Sequence, residues 1–208
     1  MKTIITIGRQ FGSGGKEIGE KLAAHFGIKC YDKELLTIAA KESGICEEMI
    51  AVHDERPTNS FLYNLVMDTY SFGYNASSFS DMPISHKVFL AQFDTIKKIA
   101  DEGPCVIVGR CADYALSEYE NCLSIFIHAK NDAKLKRIME KYNLSMPKAK
   151  EMINKKDKQR QSYYNYYSSN KWGRSETYDL SIDSSILGID GTVELLIQYI
   201  EQFEKHCK

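Results

Sequence analysis

The sequence predicts an α/β fold in which helices cover both faces of a parallel β-sheet. Short apolar runs alternate along the chain with segments whose apolar residues recur at helical spacing, which is typical of parallel sheets. The 208 residues, 43% of them hydrophobic and 26% charged, suffice for one compact core. Several apolar runs are followed by glycine or charged residues, at the strand ends where open parallel sheets bind ligands.

The amino-terminal part begins with a β-branched strand at residues 3–7, followed by a glycine-rich turn. From Lys16 the apolar period becomes that of a helix, which we expect to end at Gly27 because glycine favours the backbone conformation of a helix C-terminus. Residues 28–31 predict a second short strand. Residues 33–52 predict helix with one break at a glycine.

The middle of the chain contains an inserted segment at residues 54–86, because turn-forming residues dominate it and its apolar periodicity is weak. A helix resumes at about Ser85 and ends at Gly103. The apolar runs at 105–108 and 123–127 predict two buried strands.

The carboxyl-terminal part alternates in the same way. Helical spacing over residues 135–142 precedes a second, strongly basic helix at 146–167. Residues 180–183 predict the last strand, and 193–203 predict the closing helix. We expect Asp183 to cap the turn between them through its side-chain oxygens, rather than to take part in catalysis.

Composition excludes several classes of protein. The net charge of −1 argues against a duplex-DNA binder and makes a nucleic-acid partner a poor expectation. No apolar run approaches the roughly 20 residues that span a bilayer, and no leader pattern is present. The six cysteines are scattered, which predicts reduced, buried thiols and a cytoplasmic location. The five histidines show no metal-ligand spacing.

A glycine-rich loop joins the first strand to the first helix. Residues 12–16, Gly-Ser-Gly-Gly-Lys, allow backbone N–H groups to converge on an anion, and Lys16 adds a point charge. The loop departs from the pattern G-x-x-x-x-G-K-[ST], because Gln10 stands at its first glycine and Glu17 at its hydroxyl residue. We favour phosphate binding over a tight turn alone, because three glycines in four residues exceed what a turn needs.

Arg110 follows the strand at 105–108 and would point into the ligand crevice. The alternative is a surface arginine paired with a carboxylate. In the basic helix, Lys156 and Arg160 share a face, and Asp157 lies three residues before Arg160. With Lys134 and Arg137 they could close over a polyphosphate, although a solvated basic face and a nucleic-acid site remain alternatives.

An aromatic stretch follows the basic helix and contains six residues, Tyr163, Tyr164, Tyr166, Tyr167, Trp172 and Tyr178. Tyrosines beside basic residues can stack on nucleic-acid bases. We favour packing of this flap onto the core, or a subunit contact that leaves a homodimer open.

Taken together, these pieces resemble the cytidylate kinase family, and most closely its divergent cytidylate kinase-like branch. The segments that carry the resemblance are residues 4–27, 30–35, 92–110, 125–137, 157–160 and 179–200. The resemblance implies a P-loop kinase fold, with three α/β/α layers, a five-stranded parallel sheet, a helical inserted segment and a lid. It also implies ATP with Mg²⁺, small-molecule nucleotide substrates and phosphoryl transfer to a small acceptor.

The resemblance also implies an organisation and a set of roles. Residues 1–208 would form a single domain, with an acceptor-binding insertion at 54–86 and a lid region at 143–176. The residues implied to bind ATP phosphates are Gly12, Ser13, Gly14, Gly15 and Lys16. Those implied to face the acceptor are Asp32 and Arg110, and those of the lid are Lys134, Arg137, Lys156, Asp157 and Arg160. Lys16, Arg110, Arg137 and Arg160 would be catalytic, while no metal ligand is implied.

Two departures from the family pattern bear on function. Glu17 replaces the hydroxyl residue on the Mg²⁺ side, and Cys111 replaces the aspartate that follows Gly-Arg in cytidylate kinases. The first hypothesis is a kinase acting on a nucleoside monophosphate or another small acceptor. The alternatives are a nucleotide-binding regulatory protein without turnover and a single-stranded nucleic-acid binder.

Overall fold

A computed structural model describes residues 1–55 and 82–206 of the chain. Five parallel strands form one sheet in the order β2-β3-β1-β4-β5. The strands are β1 (Ile4–Arg9), β2 (Lys29–Tyr31), β3 (Cys105–Val108), β4 (Cys122–His128) and β5 (Leu180–Asp183). The sheet therefore confirms the predicted α/β class, with β1 at the centre between β3 and β4.

Eight α-helices lie within the described residues. They are α1 (Gly15–Phe26), α2 (Glu34–Ser43), α3 (Glu47–His53), α4 (Ile84–Glu102), α5 (Ala112–Ala115), α6 (Asn131–Tyr142), α7 (Met146–Tyr167) and α8 (Ser184–His206). A 3₁₀ turn at Ser175–Thr177 precedes β5. None of these helices has both the length and the apolar character needed to cross a membrane.

Two apolar layers lie on opposite faces of the sheet because successive strand residues point in opposite directions. On one face, Ile5 and Ile7 of β1 pack with Leu22 of α1 and Leu196 of α8. On the other face, residues of β1 and β3 pack with Leu35 of α2 and with α4 and α5. Strand β3 is apolar throughout because both faces of the sheet are covered there, whereas the edge strands β2 and β5 include polar residues.

The aromatic stretch belongs to a third buried cluster, beside α4 and β4. Tyr163 and Tyr167 are almost fully buried, and the Tyr167 ring stacks on Phe89 with centroids 4.0 Å apart. Phe126 of β4 packs against Trp172 and other aromatic residues. These contacts agree with the packing interpretation, and they leave the buried tyrosines unavailable for stacking on bases.

The predicted boundaries differ from the observed ones mainly at helix starts. Helix α8 begins at Ser184, directly after β5, and Gly188 (φ 71°) interrupts its helical geometry. The short helix α5 was not predicted, because four residues show no apolar period. Asp183 caps the turn as predicted, since its Oδ1 accepts hydrogen bonds from the backbone N and the hydroxyl of Ser185. Of the predicted insertion at 54–86, residues 56–81 lie outside the described residues.

Cys105 and Cys111 are buried as predicted, whereas Cys30 and Cys122 are half-buried. Burial raises the pKa of Cys30, Cys105 and Cys122 to about 12, which keeps these sulfurs protonated and unreactive. Cys46 corrects the prediction because it is exposed at the start of α3, where the chain is not covered by another element. All five described cysteines are free thiols.

A buried carboxylate on α5 predicts an unusual pH dependence of stability. Burial raises the pKa of Asp113 to about 6, although the Tyr164 hydroxyl donates a hydrogen bond to it. Its contribution to stability is complete below about pH 4 and is lost as the pH rises through about 6. We expect Asp113→Asn to raise the free energy of unfolding at pH 8 by on the order of 1–2 kcal/mol, with little gain at pH 4. Urea denaturation at both pH values measures the difference, and an equal gain at both would contradict this origin.

Candidate active site

A cavity of about 970 Å³ opens at the carboxyl ends of β1, β2 and β3. Its walls come from the glycine loop (residues 10–15), α1, the end of β2, the chain after α3, and the helices α6 and α7. The cavity lies where parallel sheets bind ligands, beside the point where β1 is flanked by β3 on one side and β4 on the other. The predicted residues that line it are Gly12, Gly14, Gly15, Lys16, Asp32, Arg110, Arg137, Lys156 and Arg160.

The glycine loop ends in an open helix N-terminus. Gly14 has φ 84° and ψ 4°, a left-handed conformation that favours glycine. Its position is also crowded, since a Cβ there would lie 2.2 Å from Cδ1 of Ile189. Among the described residues, no side chain caps the first turn of α1. The free N–H groups and the positive end of the helix dipole therefore suit an anion.

Ser13 is placed differently from the other loop residues. Its side chain is fully buried, and its hydroxyl donates to the carbonyl oxygen of Gln10 at 2.9 Å. Its own carbonyl oxygen accepts a 2.6 Å hydrogen bond from the Ser184 hydroxyl. The Ser13 hydroxyl thus links two residues of the glycine loop, and the first residue of α8 holds the same loop through the carbonyl oxygen of Ser13.

Lys16, Asp32 and Arg110 form a chain of ion pairs across the cavity. Lys16 Nζ lies 3.0 Å from Asp32 Oδ2, and Arg110 Nη1 lies 3.2 Å from Asp32 Oδ1. Burial disfavours the charged carboxylate, but Arg110 and Lys16 outweigh it and lower the pKa of Asp32. Asp32 also raises the pKa of Lys16, so both groups stay charged at neutral pH.

Arg110 is almost completely buried and is held on two sides. Its Nε and Nη2 donate to Oδ1 and Oδ2 of Asp54, both at 3.0 Å, in a bidentate pair. Its side chain is 3% exposed, and its backbone has φ 55°. Arg110 therefore reaches the crevice as predicted and is also paired with carboxylates, so both interpretations of this residue describe part of its role.

A second arginine-carboxylate cluster, not predicted from the sequence, lies beside the first. Glu55 Oε1 is 2.6 Å from Arg9 Nη1, and Glu55 Oε2 is 3.1 Å from Arg160 Nε. Burial opposes ionisation of Glu55, but the two arginines hold its pKa well below the usual range. The signal was present in the sequence, because Gly8-Arg9 ends β1 as Gly109-Arg110 follows β3.

The predicted lid residues separate into two groups. Lys134 and Asp157 do not line the cavity. They pair at 3.2 Å, and Asp157 Oδ1 accepts a 2.6 Å hydrogen bond from the backbone N of Phe11, which ties α7 to the glycine loop. Arg137 lines the cavity and donates from Nη1 to the carbonyl oxygen of Gly12 at 2.5 Å. Lys156 lines the cavity from an exposed position on α7.

The residues present fit a polyphosphate better than a dedicated metal cage. Glu17 is exposed and lies 3.9 Å from Lys21, on the same helix. Within residues 1–55 and 82–206, no three His, Cys, Asp or Glu side chains cluster in a way that could hold a metal ion. Mg²⁺ usually binds through substrate phosphates and waters with one or two carboxylates, and Asp32 and Glu20 are the carboxylates that pair with Lys16.

Cys111, which stands where cytidylate kinases have aspartate, is 2% exposed and packs in the aromatic cluster. It does not line the 970 Å³ cavity. A ligand in this cavity would therefore not contact Cys111.

The backbone at Gly109 packs directly against the second arginine–carboxylate cluster, so a substitution there tests how tightly the cluster is packed. Gly109 has φ 84°, and a Cβ there would lie 2.0 Å from Arg9 Nη1 and 2.7 Å from Glu55 Oε1. We expect Gly109→Ala to lower the free energy of unfolding by about 2 kcal/mol or more, because it adds a steric conflict to backbone strain. Gly44→Ala is the control, since Gly44 has φ 71° and nothing within 4 Å. Urea denaturation measures the free energy of unfolding of both variants. An equal loss in both would show that the Arg9 side chain moves away from the added Cβ without a cost in stability.

The glycine loop before α1, the lysine that follows it and the five-stranded parallel sheet define a kinase of the P-loop class. The profile of the cytidylate kinase-like family matches residues 4–186. The chain belongs to the cytidylate kinase-like family. No curated protein sequence matches it.

Solved structures agree with this class. A crystal structure of an uncharacterised protein from Eubacterium ventriosum shares 33% identity, with a TM-score of 0.70, covering 96% of this chain and 99% of the other. Shikimate kinase from Bacteroides thetaiotaomicron is 10% identical, with a TM-score of 0.53, and covers 97% of this chain and 99% of its own. Shikimate kinase from Acinetobacter baumannii, in complex with shikimate, is 11% identical, with a TM-score of 0.51 and coverages of 97% and 94%. The likeness to the shikimate kinases concerns the fold alone.

Proposed function

We propose that the protein transfers a phosphoryl group from ATP to a nucleoside monophosphate of the cytidylate kind, or to another small acceptor. One observation carries the proposal. The open N-terminus of α1 with Lys16 and the Asp32–Arg110 pair face the same cavity, and Lys16 contacts Asp32 directly. A donor phosphate on the loop and an acceptor at Asp32 would then be adjacent, as phosphoryl transfer requires.

In this proposal, the residues of the site act by positioning and by charge. The N–H groups at the start of α1 bind the ATP phosphates, and Lys16 stabilises the charge that spreads over the transferring group. Arg137, Lys156 and Arg160 add positive charge from α6 and α7. Asp32, kept anionic by Arg110, orients the acceptor. Mg²⁺, when bound with the nucleotide, would neutralise phosphate charge.

The proposal includes an organisation of the chain. Residues 1–208 act as one domain, in which the region 143–176 serves as the lid over ATP and the segment 54–86 contributes to acceptor binding. The cytoplasm is the proposed location. The contact of Asp157 with the backbone of Phe11 supports a lid that is coupled to the glycine loop.

The test is to incubate the purified protein with Mg-ATP and a panel of nucleoside monophosphates, and to measure ADP formation. Turnover with CMP, dCMP or UMP above the rate without acceptor would support the nucleotide assignment. No turnover with any nucleotide, while the protein binds ATP, would contradict it and direct the panel to phosphorylated sugars and other small alcohols.

A nucleotide-binding regulatory protein without turnover is the second candidate. Two observations favour it. Glu17 stands where the loop pattern has a hydroxyl residue, and carboxylates of the protein already accept hydrogen bonds from Arg110. Tight ATP binding with no phosphoryl transfer to any acceptor would select it over the kinase.

A further inference from the structure

We propose that Arg9 and Arg160 form the binding site for a phosphate group on the acceptor side of the cavity, and that Glu55 is the positioning residue that orients both guanidinium groups. The proposal deepens the proposed function and rests on it, because it states that the acceptor carries a phosphate or a similar oxyanion. It also changes the role of Arg110, which becomes a support for Asp32 rather than an acceptor ligand.

The first argument is a count of hydrogen-bond donors. A guanidinium group has five N–H donors. In Arg110, Nε and Nη2 donate to Asp54, and Nη1 donates to both Asp32 and the carbonyl oxygen of Val108. Only one donor of Arg110 is left, so an incoming anion could not form a bidentate pair with it.

Arg9 is in the opposite situation. Its side chain is 9% exposed and lines the cavity. Across the part of the chain that the structure describes, it makes one hydrogen bond, from Nη1 to Glu55. Arg160 uses Nε for Glu55 and Nη1 for the carbonyl oxygen of Arg9. Most donors of this pair therefore remain available at the cavity wall.

The second argument is charge. Arg9 and Arg160 share the single carboxylate of Glu55, which leaves one surplus positive charge on the pair. Burial and the neighbouring Arg9 lower the pKa of Arg160, as expected for a cation that lacks full compensation. Asp54 does not supply the missing charge, because it forms a bidentate pair with Arg110. A phosphate anion would supply both the charge and the acceptor oxygens.

The third argument is that the fold makes room for Arg9. A Cβ on Gly15 would lie 2.6 Å from Cβ of Arg9, and a Cβ on Gly109 would lie 2.0 Å from its Nη1. Two glycines on separate elements thus leave space for this one side chain. The contact with Gly109, at the end of β3, places the guanidinium on the side of Arg110 and Asp54, which is the acceptor side of the cavity.

Glu55 acts on the two arginines through both of its oxygens. Its backbone has φ 51°, an uncommon conformation for a residue with a side chain. The two ion pairs maintain this conformation and fix the guanidinium groups relative to each other. Glu55 would therefore position the arginines without contacting the acceptor as a catalytic group.

The test is isothermal titration calorimetry with inorganic phosphate, added to the protein saturated with a non-hydrolysable ATP analogue. We expect Arg9→Gln and Arg160→Gln each to weaken phosphate binding at least 10-fold, and Arg9→Gln to change the affinity for the analogue less than threefold. Arg9→Lys should restore only part of the affinity, because it keeps the charge and loses the bidentate fork. Arg174→Gln is the control, since Arg174 is exposed and, among the described residues, forms its ion pair with Glu176.

The variant Glu55→Gln tests whether Glu55 positions the two arginines or competes with phosphate for binding to them. We expect it to weaken phosphate binding severalfold with little effect on the analogue, because the guanidinium groups lose their common anchor. Tighter phosphate binding in this variant would overturn the positioning role and make Glu55 a competing anion. Unchanged phosphate affinity in both Arg9→Gln and Arg160→Gln, or no phosphate binding by the unaltered protein, would overturn the site itself.

Titration of phosphate into the protein without the ATP analogue tests the anion site independently of the proposed kinase activity. Lys16→Ala removes the lysine charge beside the glycine loop, so a further loss of affinity when Arg9→Gln is added to this variant reports the Arg9–Arg160 pair. A protein that binds phosphate in this way but never turns over ATP would contradict the kinase and retain the anion site. If Arg9→Gln does not fold, as judged by its circular dichroism spectrum, Arg160→Gln from the more exposed helix α7 decides the question.

Discussion

Replacing Lys16 by alanine is expected to lower the rate of ATP-dependent phosphoryl transfer by at least about 100-fold, because the lysine supplies charge to the transferring group. The fold should be unaffected, since the Lys16 side chain is 47% exposed and its ion pairs with Asp32 and Glu20 are partly solvated. We expect the free energy of unfolding to change by less than about 1 kcal/mol. ADP formation with the best acceptor and urea denaturation measure the two effects.

Lys21→Ala provides the matched control for this variant. Lys21 lies on the same helix, with a side chain that is 42% exposed, and it pairs with Glu17 and Asp190 without lining the cavity itself. It should retain activity within about twofold, because it contributes no charge to the site. Near-normal turnover by Lys16→Ala would remove the lysine from the mechanism.

Replacing Arg110 by leucine is expected to lower the free energy of unfolding by about 3–5 kcal/mol, the cost typical of breaking a buried ion pair. The reason is the loss of the partner that Asp32 and Asp54 share, which leaves two carboxylates in a desolvated region. The loss should shrink as the pH falls below about 4, because protonation then neutralises those carboxylates. The sign follows from the lowered pKa of Asp32, whose ion-pair stabilisation is present above its usual pKa and is lost in acid.

Urea denaturation of the variant between pH 3 and pH 7 measures this loss, and a second substitution tests its origin. Arg110→Leu combined with Asp54→Asn should recover part of the stability at pH 7, since Asp32 keeps Lys16 as a partner and the charge of Asp54 is removed. A loss below about 1 kcal/mol at pH 7 would mean that water reaches the carboxylates and that Arg110 is not a structural support for the site.

The variants Lys16→Ala and Arg110→Leu test opposite ends of the cavity. Lys16 lies on the half-exposed loop side, where substitution should change catalysis and leave stability nearly intact. Arg110 lies in the buried wall, where substitution should change stability first. The contrast arises from desolvation, because the same ion pair contributes little at the surface and is costly to break inside.

Much of the fold followed from local patterns in the sequence. The predicted bounds of β3 and β5 matched the observed strands to the residue. Strand β3 is an uninterrupted apolar segment because it is buried on both faces. Gly27 ends α1 as predicted, with φ 65°, since the helix C-terminus needs a left-handed residue. The start of α8 was placed too late, because Ser184 and Ser185 carry no apolar period.

The site was predicted in part, for a physical reason that individual residues show. Lys16, Asp32 and Arg110 were found because each follows a strand or begins a helix, and parallel strands bring their carboxyl ends together. Lys134 and Asp157 were expected in the lid, yet both lie outside the cavity wall and hold the glycine loop. Sequence spacing places side chains on a helix face but does not say which partner they meet.

By itself, the sequence determined the layers, the strand ends and the loop that opens α1, because these follow from apolar period and from glycine placement over a few residues. Tertiary structure alone decided which charges pair. Glu55 joins Arg9 and Arg160, which lie 46 and 105 residues away along the chain. Such pairs depend on the distance between atoms in the folded chain and on the burial that removes competing water, and neither leaves a local pattern in the sequence.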